Sequence, residues 1–244
     1  KASVQIPVIA VGRYIDIHMA ETMLRDGKAD YIAMARASLA DPDLPKKAKE
    51  GRADDIIQCI GCDQGCTGET AAGNPVNCLA NPHTCKETVY DLSKVEHPKK
   101  VFVAGSGVSG LSAAYGAAER GHHVTVFEAD SEIGGQWIAA AMPPGKTDYN
   151  AWIYNHRRLL EEYNAEIRLN TPLTKEIVEA EKPDAVILAT GSVPLVLPIP
   201  GLDNTRFVKS AIDVLRGRTS YGKNVVVVGG GMTGADTSVF LAVQ

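Results

Sequence analysis

Cys59, Cys62, Cys66 and Cys78 follow the spacing C-x2-C-x3-C-x11-C. Thiolates are soft ligands, and four of them suit either an iron–sulfur cluster or zinc. Structural zinc commonly takes two close C-x2-C pairs. Here Cys66 and Cys78 stand far apart, so the spacing favours a [4Fe–4S] cluster. Cys85 lies outside the pattern and reads as an incidental thiol.

A second kind of chemistry is written in glycine. Gly105-x-Gly107-x-x-Gly110 follows the apolar run Val101–Ala104 and opens a helical pattern. In this arrangement the first glycine makes a tight turn, the second lets backbone approach a pyrophosphate, and the third allows close helix–strand packing. The phosphates then face unpaired N–H groups at the helix start. Glu128 closes the following strand, where a carboxylate can take ribose hydroxyls. Gly229-x-Gly231-x-x-Gly234, after the run Val225–Val228, repeats the motif and points to a nicotinamide dinucleotide. Between the two, Thr190-Gly191 ends a strand at Ala185–Ala189, where the chain is expected to cross near the first nucleotide. Arg13 and Arg36 each follow an apolar run that reads as a parallel strand. A guanidinium there can grip phosphate bidentately or serve as a surface arginine. The six histidines show no ligand spacing, and no Ser/His/Asp arrangement is defensible.

The elements that must position these residues can be read from periodicity. Residues 6–12 and 31–34 predict strands buried on both faces. Between them Asp16 predicts the cap of a helix whose face is Ile17, Ala20, Met23 and Leu24, ended by Gly27. Ala35–Asp43 reads as a loop carrying Arg36, and residues 44–58 as a charged helix. Residues 59–97 have little core of their own and need a staple, which a bound cluster would supply. From Lys99 onward the pattern is strand, Gly-rich turn, helix and strand. A further helix is predicted over Tyr149–Tyr163, and a strand over Asn224–Val228 feeds the second turn.

Composition narrows the classes. The chain has 244 residues, of which 45% are hydrophobic, enough for a packed core. Its net charge of −4 gives no reason to expect a nucleic-acid partner. No apolar run is long enough to span a bilayer, so no membrane association is expected. Clustered cysteines fit a reducing, cytoplasmic compartment better than a secreted disulfide framework. The first residue is Lys, and Gln244 falls inside an apolar helical pattern; the expectation is an internal piece of a longer chain.

The order VIAVGRY, DYIAMARASLADP, CIGCDQGC, CLANP, VAGSGVSG, GGQ, PPGK, ILATG and VVVVGGGMTG resembles one family over nearly the whole chain. This is the NADH:flavin oxidoreductases that join an old-yellow-enzyme barrel to a pyridine-nucleotide reductase module. It includes 2,4-dienoyl-CoA reductase, enoate reductases and bile-acid-modifying relatives, with trimethylamine dehydrogenase as a cousin. The resemblance implies an α/β fold: the C-terminal end of a (β/α)8 barrel over 1–58, a cluster-binding linker over 59–98, an FAD-binding Rossmann-like part over 99–222, and the start of an NAD(P)-binding domain over 223–244. It implies that Gly12, Arg13, Ala35 and Arg36 hold FMN phosphate and that the four cysteines hold the cluster. Gly105, Gly107, Ser109, Gly110, Glu128, Gln136, Lys146, Leu173 and Gly191 are implied for FAD, and Gly229, Gly231 and Gly234 for NAD(P)H.

The implied reaction passes electrons from NAD(P)H through FAD and the cluster to FMN, which reduces an activated C=C bond of an unsaturated acid or acyl-CoA. Amine oxidation of the trimethylamine dehydrogenase type is the alternative. A further one is a non-catalytic nucleotide- and cluster-binding piece. An oligomer is compatible with either. Trp137 and Cys85 depart from the family's usual residues without touching an implied ligand. The proton donor and substrate pocket are expected outside this chain.

Overall fold

The computed structural model describes residues 1–195, 198–202, 204 and 206–244. The chain divides into two compact units: Lys1–Ser93 with Arg157–Leu159, and Lys94–His156 with Leu160–Gln244.

In the first unit, β1 (Ile9–Val11) and β2 (Tyr31–Ala33) pair in parallel, Ile9 beside Tyr31 and Val11 beside Ala33. The crossover between them is α1 (Ile17–Arg25). Asp16 caps it: its backbone is extended and its Oδ1 accepts the His18 N–H at 2.8 Å. At the other end the Gly27 N–H reaches the Leu24 carbonyl and the Lys28 N–H reaches the Met23 carbonyl, each at 3.0 Å, the two bonds of a Schellman ending. The expected two-sided burial of these strands is not found; Ile9 and Val11 are 62% and 75% exposed. Among the described residues β1 and β2 have only each other as ladder partners. A parallel strand is buried by further strands and by helices on both faces.

The expected loop at Ala35–Asp43 is instead a helix, α2 (Ala35–Ala40), and only then a turn. Its ARASLA sequence contains no breaker, and the first proline after it is Pro42. The expected helix over 44–58 is cut short. It forms as α3 (Leu44–Lys49), with Pro45 in the first turn, stops at Glu50-Gly51, and leaves only a 3-10 turn at Ala53–Asp55. Ala37, Leu44 and Ile56 form the small apolar core here, with Ile17, Met34 and Ala48 against it.

Asp41 is buried and fully engaged. It accepts Lys47 Nζ at 2.7 Å, the Ile57 N–H at 2.9 Å and the Asp43 N–H at 3.0 Å. Removing one partner of such a buried pair costs on the order of 3–5 kcal/mol. This anchor fixes the approach of the chain to Cys59. Beyond it lie a π-helical turn at Gln64–Gly68 and the short α4 (Glu69–Ala71). Buried Asn81 and Thr84 both donate to the Leu39 carbonyl, at 3.1 and 2.9 Å. Polar bonds to α2 therefore help to hold the segment after Cys78.

The second unit runs β3 (Lys100–Ala104), α5 (Val108–Glu119), β4 (His123–Phe127), α6 (Gln136–Ala140), α7 (Tyr149–Glu162), β5 (Glu166–Arg168), α8 (Lys175–Glu181), β6 (Ala185–Leu188), α9 (Ala211–Leu215) and α10 (Met232–Ala242). The sheet order is β5-β4-β3-β6 and every pairing is parallel. The chain moves outward from β3 through β4 to β5, then returns to β6 on the other side of β3. That reversal makes a crevice at the carboxyl ends of β3 and β6, the usual ligand position in an open α/β sheet.

Phe102 and Phe127 pack at the sheet centre with ring centroids 4.7 Å apart, each essentially without exposure. Each contributes roughly 1.5–3 kcal/mol by burial. The expected strand at Asn224–Val228 joins no ladder among the described residues. Val226 and Val228 are 88% and 75% exposed. Its apolar run matches a parallel strand in composition, but a strand exists only where a neighbour takes its N–H and C=O groups.

Candidate functional site

The cysteine site is built on one irregular stretch of the first unit. Cys59 is buried, Cys62, Cys66 and Cys78 are half-buried, and Cys85 is exposed. The Asn77 N–H donates to the Gly65 carbonyl at 2.8 Å, which draws Cys78 up beside the turn carrying Cys66. Burial pushes the Cys59 and Cys78 thiols up, while backbone N–H groups of Gly61, and of Ala80 and Asn81, pull the other way. Those N–H groups are the donors a bound thiolate sulfur would use. Burial thus favours the protonated form of Cys59 and Cys78 in the absence of metal, so metal binding there releases protons. Among the described residues no three His, Cys, Asp or Glu side chains converge on a point that would hold a single ion.

Both expected phosphate arginines belong to this unit. Gly12 and Arg13 follow β1, and Arg13 has a left-handed backbone at φ 51°. Its Nη2 lies 2.8 Å from where a Cβ on Gly61 would stand, over the turn between Cys59 and Cys62. Ala35 opens α2, and Arg36 beside it pairs through Nη1 with Asp63.

The nucleotide site lies in the second unit, in a cavity of about 820 Å³ at the β3–β6 crevice. Its floor is the first glycine turn: Gly105, Gly107 and Ser109 line it. Gly105 has φ +100°, and a Cβ on Gly110 would stand 1.9 Å from the Gly105 carbonyl oxygen, so neither position accepts a side chain without backbone movement. α5 starts at Val108 with no side-chain cap, leaving its first N–H groups for an anion. Glu128 lines the cavity from the end of β4. Its Oε2 accepts the Ser106 N–H at 2.8 Å and the Ser106 hydroxyl at 2.5 Å, and its Oε1 accepts the Asp130 N–H at 2.8 Å. A carboxylate offers about four acceptor sites, so two ribose hydroxyls fit only if the Ser106 hydroxyl turns away.

Gln136, Leu173 and Gly191 also line the cavity, whereas Gly110 packs against the Gly105 carbonyl and is not in the lining. Gln136 Nε2 donates to the Ser192 carbonyl at 2.6 Å, tying the start of α6 to the turn after β6. Lys146 is placed differently. It is absent from the lining and pairs with Asp236 of α10 at 2.5 Å; Asp236 itself lines the cavity.

The second glycine turn repeats the first in backbone. Gly229 has φ +107°, and a Cβ on Gly234 would stand 1.9 Å from the Gly229 carbonyl oxygen. Gly231, like Gly107, leads an uncapped helix in extended conformation.

Comparison with known proteins assigns the parts in chain order. Residues 1–55 match the NADH:flavin oxidoreductase / NADH oxidase family, 103–162 an NAD(P)-binding Rossmann-like domain, and 156–243 the pyridine nucleotide-disulphide oxidoreductases. A metal reductase of Desulforamulus reducens is 41% identical over 99% of this chain and 37% of its own length. A cinnamate reductase of Clostridium sporogenes is 38% identical over 100% of this chain and 36% of its own. The structure of a 2-naphthoyl-CoA reductase in complex with 2-naphthoyl-CoA superposes over 100% of this chain and 37% of that one, with TM-score 0.95 at 33% identity.

Its first part, residues 1–55, belongs to the NADH:flavin oxidoreductase / NADH oxidase family. The chain spans a little over a third of the length of these relatives. Ser106, Asp63 and Asp236 were not legible in the sequence as members of these sites. Ser106 and Asp63 sit inside motifs already singled out, but motif spacing carries no information on what a neighbouring side chain bonds. The opposite charge on Lys146 was the one available signal for Asp236. Among the described residues no helix is long and apolar enough to cross a membrane.

Proposed function

We propose that this chain serves an NAD(P)H-dependent reductase of activated C=C bonds in small unsaturated acids or acyl-CoA thioesters. The observation that carries the reading is the match of the whole chain, in one order of parts, to a 2-naphthoyl-CoA reductase at TM-score 0.95. In this reading the first glycine turn with Ser109, Glu128, Gln136, Leu173 and Gly191 holds FAD, and Gly229, Gly231 and Gly234 hold the pyrophosphate of NAD(P)H. Cys59, Cys62, Cys66 and Cys78 hold a [4Fe–4S] cluster. Gly12, Arg13, Ala35 and Arg36 end the FMN-binding barrel and face its phosphate.

When bound, these groups supply hydride and single-electron chemistry that no side chain here performs. The chain's own work is positional. The uncapped helix starts of α5 and α10 offer N–H groups to pyrophosphates. Glu128 fixes a ribose and so the direction of the nucleotide in the cavity. The backbone donors at Gly61, Ala80 and Asn81 stabilise sulfur in the thiolate form.

The test uses the full-length protein carrying this chain, purified without oxygen. NAD(P)H should be oxidised with an artificial dye acceptor, and faster with an α,β-unsaturated carboxylate or thioester than with its saturated analogue. Dye reduction driven by a secondary or tertiary amine, with no response to NAD(P)H, would overturn the reading in favour of amine oxidation. Inertness toward both donors in protein with full flavin content would favour a non-catalytic role.

A further inference from the structure

We propose that Asp63 is a positioning residue for the cysteine cluster: it holds the Arg36 guanidinium beside the Cys66 sulfur, so that a balanced charge pair sits at the cluster and sets its reduction potential. The inference rests on the reading that the four cysteines bind an iron–sulfur cluster.

The geometry converges on one atom. Oδ1 of Asp63 accepts the Arg36 Nη1–H and lies 4.0 Å from Cys66 Sγ. Asp63 stands between Cys62 and Cys66 in a left-handed conformation, φ 55° and ψ 4°, immediately before the π-helical turn that carries Cys66. Aspartate tolerates that conformation better than most residues, but asparagine and glycine tolerate it at least as well. Backbone shape alone therefore does not call for a carboxylate at this place; the arginine does.

Arg36 comes from the first turn of α2, so the pair spans from α2 to the cluster turn. Charges of Cys59 and Cys66, were these thiols ionised, would fall on Arg36 as well. A second guanidinium, Arg13, lies over the Cys59–Cys62 turn and remains constant in the comparison below.

Stability is not what this pair supplies. The two side chains are 34% and 51% exposed, and ion pairs so exposed contribute little. Charge placement is different. The potential of an iron–sulfur cluster follows its net charge, the hydrogen bonds to its sulfurs and its exposure. A one-electron reduction adds a negative charge, so an unpaired cation beside Cys66 favours it and an unpaired anion opposes it. Asp63 and Arg36 together largely cancel; either one alone does not.

The test is a mediated redox titration of the full-length protein, read by the electron paramagnetic resonance of the reduced cluster, with iron, sulfide and both flavins quantified alongside. Asp63→Asn removes a negative charge 4.0 Å from Cys66 Sγ and should make the cluster at least about tenfold easier to reduce, about 59 mV upward for one electron. Arg36→Gln, measured with FMN in excess, leaves Asp63 unpaired and should move the potential downward. The double variant should return toward the parent value.

A purely structural tether would give shifts of one sign, or none, and either result in protein with four iron atoms overturns the proposal. Should Asp63→Asn fail to keep its iron, the sign of the Arg36→Gln shift decides alone. Absence of iron from the unsubstituted protein would instead sink the cluster assignment itself, a failure distinguishable from this one.

Discussion

The two glycine turns of the second unit are almost the same object in different settings. Gly105 and Gly229 have φ +100° and +107°, and at both turns the third glycine has a carbonyl oxygen 1.9 Å from where its Cβ would be. Both lead into uncapped helices. What surrounds them differs. The first follows β3, a strand buried at the middle of the sheet, and has Glu128 across from it with Ser106 bonded to that carboxylate. The second follows a run whose Val226 and Val228 are exposed.

The helices are also backed differently. Tyr115 of α5 meets His156, which stacks on Trp152 at 3.7 Å, whereas Phe240 of α10 packs with Ala139, Val214 and Leu215. A glycine motif therefore specifies a backbone that can approach a phosphate; neighbouring side chains decide how firmly the site is held and how it responds to its surroundings.

The largest expected effect comes from filling the space under the first turn. Gly110→Ala drives a methyl group into the Gly105 carbonyl, and FAD affinity should fall roughly hundredfold, about 2.7 kcal/mol. Flavin release followed by fluorescence would measure it. Retention of FAD at parent affinity would mean that the cavity at the β3–β6 crevice is not the FAD site.

A smaller effect separates the helix backings. Burial pushes the pKa of His156 down to about 4, against about 6.5 in an unfolded chain. Neutral His156 therefore stabilises the fold fully above pH 6.5, and the contribution is lost as pH falls from there toward 4. At pH 5 the loss is roughly 2 kcal/mol. Denaturant unfolding at pH 7 and pH 5 should show it, and His156→Phe should flatten the difference. An equal acid loss in that variant would place the titrating group elsewhere.

The smallest effect concerns Lys146. Its pair with Asp236 is about a third exposed on each side, so Lys146→Met should cost less than about 1 kcal/mol and leave FAD content unchanged. Loss of FAD would show instead that Lys146 leaves Asp236 to contact the cofactor directly.

Most of the positional logic was legible in the sequence. Asp16 and Gly27 bound α1 as their types require, and Gly105, Glu128, Gln136, Leu173 and Gly191 gather round one cavity. What was not legible depends on partners distant in sequence. The apolar run before Gly229 has strand composition without a ladder. Ala35–Ala40 is helical because nothing in it interrupts a helix, although its place after a strand suggested a loop. β5 was missed because Glu166 and Arg168 look like surface charges; the strand is set by its pairing with β4 and by Arg168 between Glu166 and Glu181. The attachment of Arg36 to Asp63 could not be read from spacing, because the two lie on separate elements.

The claim that the two turns hold different nucleotides is tested most directly by anaerobic titration of the full-length Gly234→Ala protein with NAD(P)H, following the flavin absorbance. The account predicts FAD bound at parent stoichiometry yet bleached by dithionite and not by NAD(P)H. Rapid bleaching of FAD by NAD(P)H in that variant would contradict it.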